Sequence, residues 1–105
     1  ALAISGLSAD RVLFLGFLAK KLSKRKESWN LVKAADGLTV IIYESPFRVS
    51  KTLEEIRVEF GEQTQTVIAR ELTKEYEQIV RGSVAELLDK KTKIKGEVVI
   101  LFRKD

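Results

Sequence analysis

The sequence predicts an α/β domain with a mixed sheet of about five strands and helices packed on it. Three observations predict it. Apolar runs at Val12–Leu15, Leu38–Tyr43 and Val98–Phe102 are too short for buried helices and too apolar for surface strands. Between the second and third lies an amphipathic stripe, Val49, Leu53, Ile56 and Phe60, at steps of four, three and four. Thr66–Arg70 and Tyr76–Arg81 are close enough to pair as a hairpin across Glu71–Glu75, which makes the sheet mixed and not purely parallel.

Taken in order, Ala1–Leu7 reads as the last turns of a helix ended by Gly6. Asp10–Phe17 follows as the first strand. Lys20–Lys26 reads as a basic connection, and Ser28–Ala35 as a helix with Trp29 and Val32 on one face. Asp36-Gly37 is a turn signal before Leu38–Tyr43, which reads as a central strand buried on both faces. Ser45 as N-cap and Pro46 as first residue open the next helix, Gly61 closes it, and Lys51, Glu54, Glu55 and Glu59 lie mostly away from its apolar stripe. After the hairpin, Ser83-Val84-Ala85-Glu86 is a capping box that starts a short helix burying Val84, Leu87 and Leu88. Lys90–Lys95 reads as a basic turn, and Gly96 introduces the last strand.

Composition narrows the chemistry. The chain has 105 residues, 45% hydrophobic and 32% charged, as expected of one globular domain. It contains no cysteine and no histidine. A Ser-His-Asp triad, a Cys-His pair and a histidine zinc site are therefore excluded from this chain alone, and no metal site is expected. Acid–base work falls to carboxylates, lysine, tyrosine or another chain. No apolar run approaches the ~20 residues of a membrane helix, so a cytoplasmic protein without membrane contact is expected. The start carries neither a signal-peptide pattern nor an initiator methionine, which reads as a fragment of a longer chain. Charge is uneven: residues 1–52 hold nine Lys/Arg against four Asp/Glu, residues 53–105 ten against eleven. Lys20, Lys21, Lys24, Arg25 and Lys26 have no acid among them, a pattern that attracts phosphate backbones or other polyanions and that is equally found on a solvated helix face.

Ligands of open α/β sheets gather beyond the carboxyl ends of strands. Three polar clusters fall at such positions: Tyr43-Glu44-Ser45-Pro46-Phe47-Arg48, Arg70-Glu71-Leu72-Thr73-Lys74, and Gly96-Glu97. Each also has an ordinary reading, as a helix start, a set of surface ion pairs worth ~0–1 kcal/mol each, and a turn glycine. The six glycines are scattered, and no phosphate-binding glycine-rich loop is present.

In this order, with Ser5-Gly6-Leu7, Asp10-Arg11, Gly16-Phe17, Glu77 and Arg81-Gly82, the clusters resemble the C-terminal half of the small-subunit ribosomal RNA methyltransferase I family, in the tetrapyrrole methylase superfamily. The resemblance runs from end to end of the chain. It implies the C-terminal domain, residues 1–105, of a homodimeric two-domain enzyme whose N-terminal domain lies outside this sequence. It also implies S-adenosylmethionine bound between the domains, and methylation of a cytidine ribose 2′-oxygen in small-subunit rRNA. The chain alone is then expected to be inactive.

By the same resemblance, backbone groups at Tyr43, Glu44, Leu72, Thr73, Gly96 and Glu97 would hold the cofactor. Glu44, Arg48, Arg70, Glu71 and Lys74 would form the polar wall of the cleft, with Glu44, Arg70 and Lys74 as catalytic candidates. Lys74 or a carboxylate would take the proton, a lysine only if its pKa were strongly lowered. Lys20, Lys21, Lys24, Arg25, Lys26 and Arg48 would contact the RNA of the small ribosomal subunit. The sequence departs from the family at Phe47, where histidine is usual, which argues against an essential base there. Two other readings stay open: a methyltransferase acting on a corrin or porphyrin, and a non-catalytic RNA-binding or dimerisation module.

Overall fold

A computed structural model describes residues 11–71, 77–89 and 97–105. In chain order the elements are β1 (Val12–Phe17), α1 (Leu22–Lys33), β2 (Leu38–Glu44), α2 (Val49–Phe60), β3 (Gln65–Glu71), β4 (Glu77–Ser83), α3 (Val84–Asp89) and β5 (Val98–Lys104). The five strands form one sheet in the order β1-β2-β5-β3-β4. Only β1 and β2 are parallel neighbours, joined through α1 as a βαβ unit; every other pair is antiparallel. The expected mixed sheet is what forms.

Strand periodicity sends alternate side chains to opposite faces. Val40 and Ile42 of β2, Ile100 and Phe102 of β5 and Ile68 of β3 share one core with Trp29 and Val32 of α1, Leu53 and Ile56 of α2, and Val84 and Leu87 of α3. Trp29 sits edge-on to Phe60 and near Phe102, with ring centroids 5.9 and 6.2 Å away, so the three elements meet at an aromatic cluster. The stripe Val49, Leu53, Ile56 is buried as its spacing requires, and Phe60 packs against the same core.

Local signals hold where their chemistry is complete. The amide of Glu86 donates to Ser83 Oγ at 3.2 Å, and the amide of Ser83 donates to Glu86 Oε1 at 3.3 Å, both halves of a capping box. Gly61 ends α2 at φ 104°, its amide donating to the Arg57 carbonyl at 2.9 Å.

Two helix starts differ from expectation. α1 begins at Leu22, six residues before Ser28, so the basic stretch is largely helical: lysine and arginine are good helix formers, and Arg25 continues the face of Trp29 and Val32 at i, i+4, i+7. α2 begins at Val49, not Pro46. Ser45 does not cap it; the Ser45 amide is taken by the Glu44 carboxylate at 3.0 Å, and the Arg48 amide donates to the Ser45 carbonyl at 3.0 Å, closing a separate turn. The expected helix at Ala1–Leu7 and the turn at Lys90–Lys95 lie outside the described residues.

β1 carries one extra residue. Phe14 faces Ile41 and Gly16 faces Ile42, so Leu15 is a bulge, and Gly16 takes φ 65°, a left-handed angle natural to glycine. In a regular strand, residues three apart point to opposite faces. The bulge cancels that alternation, and Phe14 and Phe17 both reach Tyr43, with centroids at 5.2 and 5.6 Å.

At the other edge, Lys104 Nζ donates to Asp36 Oδ1 at 2.7 Å and ties the end of β5 to the α1–β2 turn. That hydrogen bond, then the charge of Lys104 and that of Arg11, hold the Asp36 carboxyl below its ordinary range. A depressed native pKa gives stability that is present above the unfolded value, about 3.9, and lost as pH falls through the native value. Asp36→Asn is therefore expected to lower the urea midpoint slightly at neutral pH. The difference from wild type should vanish in acid, measured as paired urea titrations down the pH scale.

Candidate active site

Strand pairing brings the described members of the three polar clusters to one edge of the sheet. Phe17 is the register partner of Tyr43, Glu44 of Val98, Val98 of Arg70, and Glu71 of Glu77. The carboxyl ends of β1, β2 and β3 and the amino ends of β4 and β5 thus share this edge. With strands about 4.8 Å apart, Glu44 and Arg70 stand roughly 10 Å from each other across β5. α1 and α2 also begin here. Tyr43, Glu44, Arg70 and Glu97 are described at the edge; Leu72, Thr73, Lys74 and Gly96 lie outside the described residues.

Glu44 is not part of an open polar wall. Its carboxylate is 4% exposed; Oε1 accepts from the Ser45 amide and Oε2 from Thr52 Oγ1 at 2.6 Å. Thr52 Oγ1 in turn accepts from Arg25 Nη2 at 2.9 Å. Arg25 Nε donates to both Glu55 oxygens at 2.9 and 3.0 Å, a further short contact joins Nη2 to Glu55, and Nη1 donates to the Ala19 carbonyl at 3.2 Å. The four side chains form one buried relay from α1 through α2 to the end of β2. A carboxylate so engaged can place the strand end.

Arg25 is likewise no phosphate contact. It is 2% exposed, the most buried cation among the described residues. Hydrogen bonding to Glu55 first, and then the charges of Glu55 and Glu44, raise its pKa beyond that of an ordinary arginine, against the opposing effect of burial. Charge density alone groups it with its neighbours; its place on the Trp29–Val32 face sets it apart. Lys20, Lys21, Lys24 and Lys26 are exposed, Lys24 lying 3.7 Å from Glu27. Arg48 is half-buried in the Ser45–Arg48 turn. Arg70 Nε donates to Gln78 Oε1 at 2.5 Å across the hairpin, and Glu97 is exposed.

Sequence pattern does not single out Thr52, and it sets Glu55 on the outer face, where the structure does not. A signal for both exists: residues 52 and 55 are one turn apart on a helix and share a face, so a threonine beside Leu53 with a glutamate three residues on marks a polar seam. A cleft of about 570 Å³ at the opposite edge is lined by Lys33, Phe60, Thr64 and Arg103 among others. Its charges are largely paired, Lys33 with Glu59 and Arg103 with Asp105, and none of the described members of the three clusters lines it. Among the described residues no cluster of metal-ligating side chains forms, and no helix is long and apolar enough to cross a membrane.

The mixed α/β sheet agrees with sequence comparison. The family profile of the Tetrapyrrole (Corrin/Porphyrin) Methylases matches residues 1–88, and the chain belongs to this family. Among curated relatives, it is 37% identical over 105 residues to the ribosomal RNA small subunit methyltransferase I of Haemophilus influenzae, covering 96% of this chain and 37% of that protein. It is 38% identical to the protein of the same name from Escherichia coli O157:H7, covering 96% of this chain and 36% of the relative. The Hydrogenobaculum protein of that name is 36% identical over 108 residues, covering all of this chain and 46% of the relative. The chain thus spans between about a third and a half of the length of these relatives.

The relay makes Arg25 and Lys24 separable. Removing one partner of a buried ion pair strands the other, so Arg25→Met is expected to cost about 3 kcal/mol. Lys24→Ala should stay within about 0.5 kcal/mol of wild type. Arg25→Met combined with Glu55→Leu should recover most of the loss. Urea unfolding of the full-length protein carrying each change measures all three.

Proposed function

We propose that this chain is the C-terminal domain of an S-adenosylmethionine-dependent methyltransferase acting on the RNA of the small ribosomal subunit, at a cytidine ribose 2′-oxygen. The observation that carries the reading is the convergence of the Tyr43-Glu44, Arg70 and Glu97 clusters at one sheet edge, in a member of this family. The names of the relatives support RNA of the small subunit as the substrate. The intact enzyme works as a homodimer in the cytoplasm, and the cofactor lies between this edge and a further domain.

S-adenosylmethionine supplies the methyl group from its sulfonium. The edge suits one side of such a ligand, since strand-end backbone groups are at hand. Glu44 contributes through its backbone, since its carboxylate is engaged, and acts as a positioning residue. Arg70 is cationic and stabilises charge without accepting a proton. Phe47 has no titratable group. Transfer to a hydroxyl would need the oxygen held in line with the methyl carbon and sulfur and an acceptor for the hydroxyl proton, a role that would fall to a carboxylate, or to Lys74 if its pKa were strongly lowered.

The full-length protein, incubated with labelled S-adenosylmethionine and small subunits from a strain lacking the activity, is expected to label one ribose 2′-oxygen. Absence of label on rRNA from folded, cofactor-binding protein overturns the reading. A Soret-band shift with a tetrapyrrole would then favour a corrin or porphyrin substrate. The isolated chain is expected to show no turnover.

Lys20, Lys21, Lys24 and Lys26 bind RNA phosphates from the outer side of the α1 start. Changing all four to alanine should weaken RNA binding and flatten its salt dependence, by about 0.7–0.9 in log–log slope for each phosphate no longer neutralised. Binding isotherms across a salt series measure it, and an unchanged slope removes these lysines from the interface.

A further inference from the structure

The carboxyl edge of β1 and β2 holds more aromatic surface than a strand end needs. Phe47 is 96% exposed, on a four-residue turn closed by the hydrogen bond from the Arg48 amide to the Ser45 carbonyl. A phenylalanine so displayed contributes nothing to the core. Four residues earlier Tyr43 stands between Phe14 and Phe17, edge-on to Phe14, and these two phenylalanines remain 56% and 60% exposed. The bulge at Leu15 is what gathers the three rings on one side. Their neighbours in the chain are cationic, while the exposed Glu97 stands one strand over at the amino end of β5. Lys20 and Lys21 follow Phe17 at the end of β1, exposed and without an ion pair to any described residue, and Arg48 follows Phe47 directly.

Aromatic faces set among exposed cations have one well-matched partner. A second copy of this surface would bring like charges together, and a lipid surface would ask for apolar depth and not separate rings. Unpaired RNA offers both complements at once, planar bases to stack and phosphates to neutralise. Duplex RNA hides its base faces and offers only the phosphates.

We propose that this edge is a stacking platform for unpaired RNA, in which Phe47 and the Phe14–Tyr43–Phe17 cluster take nucleobase faces while Lys20, Lys21 and Arg48 hold the adjoining backbone. The proposal rests on the RNA reading above and adds the strand state of the substrate. It assigns Phe47 a contact role that needs a flat ring and no proton.

The test compares wild-type full-length protein with Phe47→Ala, Phe47→Leu and Phe47→Tyr. Each is titrated with a short unstructured RNA oligonucleotide and with the same sequence annealed into a duplex, followed by fluorescence anisotropy. Because Phe47 is solvent-exposed, all three variants are expected to fold as wild type, checked by their urea midpoints. Stacking of one base is worth about 5- to 150-fold in affinity, so Phe47→Ala should lose about tenfold or more for the single strand. Phe47→Leu should lose as much, since it keeps apolar bulk without a planar face, and Phe47→Tyr should restore binding. Duplex affinity and the salt slope should barely change. Wild-type single-strand affinity in Phe47→Ala overturns the proposal, as does an equal loss for single strand and duplex. A change in oligomer mass with RNA binding intact also overturns it and assigns the rings to self-association. Ring-dependent single-strand binding in a protein that places no methyl group on rRNA upholds the platform and fails the methyltransferase reading; methyl transfer with ring-independent binding does the reverse.

Discussion

β5 is the last strand among the described residues and is hydrogen-bonded on both sides, to β2 through seven register pairs and to β3 through five. Without it the sheet separates into a β1–β2 pair and a β3–β4 hairpin, and isolated two-stranded units are marginal in water. Its side chains reflect the position: Ile100, Leu101 and Phe102 are fully buried. The candidate site depends on it too, because Val98 is the residue that sets Glu44 and Arg70 at the same level. Each of these pairings closes a long loop in sequence, so the site is assembled only when the fold is essentially complete.

α1 serves two environments at once. Its inner face, Arg25, Trp29 and Val32, is buried, and its outer face carries lysines. Arg25 is the point where the two meet, a cation turned inward and matched by Glu55, Thr52 and Glu44. A single aliphatic residue there would pack as well but would leave the Glu44 carboxylate and the Ala19 carbonyl without this relay. The polar seam therefore fixes where α1 and α2 sit relative to the end of β2, which apolar contacts, having no direction, do less sharply.

Much of this is legible in the sequence. Leu38–Tyr43, apolar but for Thr39, and Val98–Phe102 announce strands covered on both faces, because so apolar a run has little side to give to water. The capping box at Ser83–Glu86 is readable since both partners lie within four residues. What escapes reading is set by distant partners. Arg25 looks like Lys24 and Lys26 until Glu55 is placed opposite it, thirty residues away. Ser45-Pro46 carries a good helix start, yet the buried Glu44 next to it takes the serine amide and delays the helix to Val49. The bulge at Leu15 has no local marker beyond one glycine, because it is defined by pairing with β2. Convergence of the site clusters follows from strand order, and the position of β5 between β2 and β3 is what sequence pattern does not supply.

Trp29 is the chain's one tryptophan, and its indole is buried between α1, Phe60 of α2 and Phe102 of β5, its N–H meeting no acceptor among the described residues. An indole in such surroundings emits at shorter wavelength than one in water. Because one of the rings beside it belongs to the strand that joins the two halves of the sheet, its emission is a natural optical reporter of that closure: the domain carries, without any label, a colour change for the arrival of β5.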